Sequence, residues 1–298
     1  MIPPSFEYLR PATIPEALAL LKQHGDDAKI LSGGQSLIPM MKLRLARPAY
    51  LIDINRISGL EYIKEDGGYL KIGGLTREAD VEASPVIQSK FPLIHDTASV
   101  IADPQVRNMA TVGGNLAHGD PANDHPATML ALGAEIIATS EAGNRTIPMS
   151  DFFKSFFETA LVQGEILTEI RVPIPPARSG GAYFKIERKV GDFATVAVAA
   201  QITINDKGVC TYAGIGLTNV GPVPIKARKA EDFLKGNPLD DANIAQAAAL
   251  ASDESEPSSD LRGPAEYKRA MVKELTRRAL NRALERAKSR RREWQNIT

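Results

Sequence analysis

Ser32, Gly33, Gly34, Gln35 and Ser36 stand between an apolar run and a helix-like stretch, "ILSGGQSLIPMMKLRLARP" (30–48). Further along, "ATVGGNLAHGDPANDHPA" (110–127) repeats the pattern with Thr111, Gly113, Gly114 and Asn115. Phosphate needs unobstructed backbone N–H groups. Glycine supplies them, because it has no side chain and tolerates positive φ. A following helix start adds partial positive charge. Either loop alone also reads as a plain turn, with Ser36 as an N-cap. Together, with Asp120 and Asp124 behind the second, they fit a dinucleotide: amides for the diphosphate, carboxylate and amide side chains for the sugar hydroxyls.

The usual dinucleotide motifs are missing. No G-x-G-x-x-G opens a βαβ unit, and "GIGLTNVG" (214–221) has the wrong spacing in a strand context. No G-x-x-x-x-G-K-[ST] and no G-x-S-x-G occur. His24, His95, His118 and His125 lack metal-ligand spacing; a site of His118, His125, Asp120 and Asp124 competes with surface or ligand-rim positions. Asp103, Arg107 and Asn108 read as loop-fixing hydrogen-bonding residues rather than catalysts. Phe152, Phe153, Phe156 and Phe157 have helical spacing, which suits core packing or a subunit interface.

Composition narrows the classes. The 36 Lys and Arg balance the 36 Asp and Glu, so no basic surplus points to nucleic acid. The basic cluster at 288–295 reads as a solvated helix end. The single cysteine, Cys210, excludes an internal disulfide and an iron–sulfur cluster held by this chain alone, and suits a small core hydrophobe. No run approaches a membrane span and no signal pattern opens the sequence, so a cytoplasmic chain is expected.

The loops must be positioned by regular elements. A strand at 5–10 leads to a helix over "TIPEALALLKQHG", with Thr13 and Glu16 at capping-box spacing. "AKIL" and "AYLIDIN" read as strands flanking the first loop, with a helix from Ser36. Hairpins are expected to turn at Asp66-Gly67-Gly68 and at Gly143-Asn144. Helices follow over 76–102 and from about Pro126. "EILTEIRVPIP" reads as a strand ending in a proline-rich break near 177. Beyond it, "GAYFKIERK", "ATVAVAAQITIND" and "GVCTYAGIGLTNVGPVPIKA" read as three antiparallel strands, followed by helices near 241–254 and 264–288. The boundaries expected are 1–56, a small α/β unit; 57–177, a larger α+β unit; and 178–298, a sheet with helices.

The sequence resembles the FAD-binding medium subunits of the molybdenum hydroxylases, the carbon monoxide dehydrogenase and xanthine dehydrogenase type of flavoprotein. The resemblance rests on "AKILSGGQSLIPMMKLRLARP", "VRNMATVGGNLAHGDPANDHPA", "GEILTEIRVP", "YFKIERKVGDFATVAVA" and "SSDLRGPAEYKRAMVKELTRRAL", in family order along nearly the whole chain. It implies an α+β fold, with a two-part FAD-binding domain and a C-terminal antiparallel sheet with helices. It implies that residues 32–36 cradle the pyrophosphate of non-covalent FAD, flanked by Lys29, Ile30, Leu31 and Leu37. Ala110, Thr111, Gly113, Gly114 and Asn115 would form a second wall, with Asn123 and Asp124 holding polar groups of the flavin. Ile101, Leu167 and Lys185 fall where the family lines the ring. Phe193 falls where relatives often place a tyrosine, keeping a stacking face without the hydroxyl. Partner subunits would hold two [2Fe–2S] clusters and the molybdenum cofactor, in a dimer of heterotrimers. The single cysteine argues against the benzoyl-CoA reductase branch. A stand-alone FAD-dependent reductase on the same fold and a flavin-free assembly protein remain open.

Overall fold

The computed structural model describes residues 2–295, with side chains through Ser289. Of the basic C-terminal cluster, the side chains from residue 290 onward therefore lie outside the described residues.

The first sheet has three parallel strands, with Tyr50–Asp53 between Glu7–Leu9 and Ala28–Leu31. Parallel neighbours need a crossover: helix Ile14–His24 links the two outer strands, and the connection from Ala28–Leu31 to its neighbour Tyr50–Asp53 carries helix Leu37–Lys42. Thr13 Oγ1 accepts from Glu16 N–H at 3.4 Å while Glu16 reaches back to Ala12 N–H at 2.7 Å, so the helix start is closed as its spacing predicts. Ala17, Leu18 and Leu21 bury their face against Ile52, Ile54 and Leu75. The helix after the first loop spans Leu37–Lys42. Ser36 precedes it but makes no side-chain cap; its own backbone is already helical, which turns its hydroxyl away from the first amides.

The second sheet is antiparallel and five-stranded. Two hairpins, Ile63–Asp66 with Tyr69–Gly73 and Glu135–Ser140 with Gly143–Pro148, flank Ile166–Pro173. Gly67 and Gly68, at φ 59° and 83°, make the first turn as expected. The second turn falls at Glu141-Ala142 rather than Gly143-Asn144, since Gly143 already pairs with Ser140. The Ser140 hydroxyl organises it, accepting from Ala142 N–H at 3.3 Å and donating to Gly143 O at 3.2 Å. The phenylalanine cluster is not helical. It lies in a 3₁₀ turn and a small hairpin, Phe153–Ser155 with Glu158–Thr159; Phe152 is buried while Phe156 and Phe157 are exposed.

The third sheet comprises Ser179–Ile186, Val196–Ile204, Cys210–Thr218 and the short Ile225–Lys226, all antiparallel. Every residue of Val196–Ile204 is buried. Val196, Val198, Ala200 and Ile202 face the helices Arg228–Leu234, Asp241–Glu254 and Ala265–Gln295. Ala197 and Ala199 face the core of the second unit. The sheet thus packs on both faces, and helix His125–Leu132, buried at every position, lies against it. The contact is close enough that a Cβ on Gly214 or Gly216 would fall 1.9 or 2.0 Å from a carbonyl oxygen, of Ala131 and Ala127 respectively.

Candidate functional site

The two glycine loops meet at a cleft of about 760 Å³, a size typical of small-molecule and cofactor sites. The first loop connects Ala28–Leu31 to Leu37–Lys42. Among the described residues, no acceptor takes the N–H groups of Gly33, Gly34, Gln35 or Ser36. Gly34 needs its glycine, at φ 73° with Ile38 Cδ1 only 2.8 Å from where a Cβ would stand. Gly33 packs on the approach to the second loop, its missing Cβ 2.4 Å from Met109 O.

The amides of the second loop are used differently. Gly113 N–H bonds Gly74 O at 3.1 Å, Gly114 N–H bonds Thr111 Oγ1 at 3.1 Å, and Asn115 N–H bonds Thr111 O at 2.9 Å. This loop opens helix Val112–Ala117 with Thr111 as its cap. What it offers the cleft is side chains. Asn115 Oδ1 is buried without a hydrogen-bond partner among the described residues, and the Asn123 amide braces the wall by donating to Asn115 O at 2.8 Å.

At the far end stands Asp124, 6% exposed. Its Oδ1 accepts from the Tyr183 hydroxyl at 2.6 Å and its Oδ2 from Lys185 Nζ at 3.0 Å. Burial raises the Asp124 pKa, partly offset by the Lys185 charge and the Tyr183 hydrogen bond. Lys185 is not among the cleft-lining residues. Its Nζ is spent on Asp124, on Val100 O at 3.1 Å and on Glu187 at 3.3 Å, with the side chain 3% exposed. Lys185 therefore reaches the cleft only through Asp124. Along strand Ser179–Ile186, Phe184 and Ile186 pack toward the C-terminal helices, and alternation puts Lys185 with Tyr183 on the opposite face, against the carboxylate.

Ile101, Ala110, Asn123, Leu167 and Phe193 line the cleft with residues 29–37 and the second loop. Phe193 is half-exposed, with the Arg262 guanidinium 6.0 Å from its ring. Residues not among the expected cofactor contacts also line it: Ala102, Val106, Phe157, and the segment 161–166. Ala102, at φ 46°, is held by Arg107, whose guanidinium donates to Ile101 O at 2.9 Å and Ala102 O at 3.3 Å. Asp103 caps Pro104–Arg107 through Val106 N–H at 2.9 Å, so both residues fix this loop. Asp120 does the same for its own turn, accepting from Ala122 N–H at 2.8 Å.

The histidines separate. His118 lines the cleft beside Phe157, ring centroids 5.0 Å apart, and burial lowers its pKa. His125 is fully buried with Nε2 2.7 Å from Glu78 Oε2. Burial pulls its pKa down, but the Glu78 carboxylate and the Asp124 charge together outweigh that, and the net shift is upward. Among the described residues, no group of three or more His, Cys, Asp or Glu is arranged to hold a metal, and no helix is long and apolar enough to cross a membrane.

The donor set fits FAD. Free amides on one loop suit a pyrophosphate, the orphaned Asn115 oxygen suits a hydroxyl or amide donor, and Lys29 is the one Lys or Arg among the described residues lining the cleft. Comparison with known proteins agrees. The model described as "FAD binding domain in molybdopterin dehydrogenase" matches residues 4–175, and "CO dehydrogenase flavoprotein C-terminal domain" matches 181–283. The chain is 46% identical to the carbon monoxide dehydrogenase medium chain of Afipia carboxidovorans, over 97% of this chain and 100% of that one. The solved carbon monoxide dehydrogenase of Hydrogenophaga pseudoflava gives a TM-score of 0.93 at 47% identity, covering 96% of this chain and 99% of that one. Quinoline 2-oxidoreductase of Pseudomonas putida 86 gives 0.90 at 33% identity, covering 96% and 99%. With both parts of the fold matched along their length, the chain belongs to the FAD-binding medium-subunit family of the molybdenum hydroxylases.

Proposed function

We propose that this chain is the electron-output subunit of a cytoplasmic molybdenum hydroxylase, holding FAD non-covalently in the cleft between its glycine loops. The observation that carries the reading is that the amides from Gly33 to Ser36 and the Asn115 oxygen, unbonded among the described residues, belong to residues lining one cleft. In this assignment Gly33, Gly34, Gln35 and Ser36 donate to the pyrophosphate, with Lys29 supplying charge. Ile30, Leu31 and Leu37 shape the floor. Ala110, Thr111, Gly113 and Gly114 keep the opposite wall low. Asn115, Asn123 and Asp124 orient the polar groups, and Ile101, Leu167 and Phe193 surround the ring. Lys185 acts indirectly, by holding Asp124.

Bound FAD supplies the redox chemistry, and the protein supplies position and electrostatics. Electrons would come from [2Fe–2S] clusters of a small partner subunit, after substrate oxidation at the molybdenum cofactor of a large one. Two such heterotrimers would form the assembly. Residues 1–56 and 57–177 are assigned as the two FAD-binding parts and 178–298 as the sheet-and-helix part. The test is an FAD titration of the full chain and of its complex with the two partner subunits, followed by flavin fluorescence. Stoichiometric binding that Gly114→Leu loses supports the reading. A folded complex that leaves FAD free in solution overturns it.

A further inference from the structure

Asn55 and Arg77 do not line the cleft, yet they join its two loops. Asn55 is fixed first: its backbone N–H donates to Asp53 Oδ1 at 2.9 Å and its Nδ2 to the same oxygen at 2.7 Å. Asp53 is held in turn by the Tyr8 hydroxyl. So anchored, Asn55 Nδ2 also donates to Ser32 O at 2.6 Å. Arg77 completes the tie, with Nη2 donating to Asn55 Oδ1 at 2.9 Å and Nη1 donating to Met109 O. The chain of bonds runs from the edge strand Glu7–Leu9 through the first glycine loop to the entry of the second.

The geometry has a consequence for the cleft. The described residues contain no cis peptide bond, and in a trans peptide the C=O and the next N–H point in opposite directions. Drawing Ser32 O toward Asn55 therefore turns Gly33 N–H the other way, to the side where no acceptor among the described residues meets it. The carbonyl that Arg77 holds, Met109 O, is the atom lying 2.4 Å from where a Cβ on Gly33 would stand. One network thus sets the direction of the first free amide and the spacing between the loops.

We infer that Asn55 and Arg77 are positioning residues that preorganise the pyrophosphate cradle. The inference rests on the FAD reading and adds residues outside the cleft lining. Preorganised donors bind more tightly because the ordering cost is met in folding rather than on binding.

The test uses the full chain, alone or in its complex, with Asn55→Ala, Arg77→Met, Arg77→Lys and the double variant Asn55→Ala/Arg77→Met. FAD affinity is read by flavin fluorescence and fold stability by thermal unfolding without FAD. Each of Asn55→Ala and Arg77→Met is expected to weaken FAD by about tenfold or more, the size of a lost hydrogen bond with a charged partner. The double variant should lose less than the product of the two, since they act as one unit. Arg77→Lys should recover part of the loss, and unfolding temperatures should stay near the parent's. Affinities within about twofold of the parent overturn the inference while leaving the FAD reading intact. Losses that track the unfolding temperature overturn it by assigning the residues to general stability. A parent that binds no FAD in chain or complex removes the FAD reading itself.

Discussion

Ser32 Oγ and Thr111 Oγ1 stand 3.1 Å apart, joining two loops that are 79 residues distant in the chain. Gly114 lies against both: a Cβ there would sit 2.7 Å from each oxygen. The absence of a side chain at Gly114 is therefore a condition for the contact between the loops, beyond any access it gives a ligand.

The first prediction follows from that spacing. Gly114→Ala should push Ser32 and Thr111 apart and weaken FAD by about tenfold or more, measured by fluorescence titration. An affinity close to the parent's would mean that the cleft tolerates separation of the loops.

Gly216→Ala should destabilise the fold by about 1–3 kcal/mol or more, the usual cost of forcing volume into a packed interior. The added Cβ would meet Ala127 O at 2.0 Å, and backbone atoms of a fully buried helix have little room to retreat. Urea unfolding measures this; a midpoint unchanged from the parent would show that helix and sheet can separate freely.

Stability should depend on pH through His125. Burial opposes its charge, but the Glu78 carboxylate, with Asp124 adding, outweighs that and holds its folded-state pKa above the ordinary histidine value of 6.5. A raised pKa contributes stability that is fully present below 6.5 and is lost as pH rises through the folded value. Unfolding free energy should therefore fall from neutral into alkaline pH. His125→Gln should flatten this part of the profile, and an unchanged slope would assign it to other groups.

Lys185→Met should be costly despite its distance from the cleft, because it leaves Asp124 and Glu187 without their shared cation. Breaking a buried pair by removing one partner costs about 3–5 kcal/mol. The double variant Asp124→Asn/Lys185→Met should recover part of that, as measured by chemical unfolding. A double variant no more stable than Lys185→Met would show that the pair is not the source of the loss.

Cys210 should resist alkylation in the folded protein. Burial lifts its thiol pKa to about 11, and the residue is 1% exposed. The thiolate is the reactive form. Iodoacetamide at mildly alkaline pH should label the unfolded chain and spare the native one.

What the sequence by itself determined is local or carried by composition. The Thr13–Glu16 capping spacing, the Asp66-Gly67-Gly68 hairpin and the three apolar strands after residue 178 depend on near neighbours. The two glycine loops were legible because a Gly-Gly pair before a helix start offers unhindered amides in any fold. Single cysteine use likewise left no cluster for this chain to hold. Spacing misled where a side chain outside the pattern made the turn, as Ser140 does, or where helical periodicity at Phe152–Phe157 coincided with a short hairpin.

The tertiary structure alone decided which of the polar groups meet. Ile166–Pro173 enters between two hairpins formed earlier in the chain, and that insertion brings Leu167 to the cleft. The family resemblance implies Lys185 at the flavin ring, but strand alternation sends Phe184 and Ile186 toward the C-terminal helices and Lys185, with Tyr183, to the opposite face, where it bonds Asp124. Asn55, Arg77, Glu78 and His125 form no motif, because their partners lie 22 to 47 residues away and such pairings leave no periodic trace. The loops' capacity to offer amides is written in their glycines; their direction is set by long-range hydrogen bonds that exist only once the chain has closed around them.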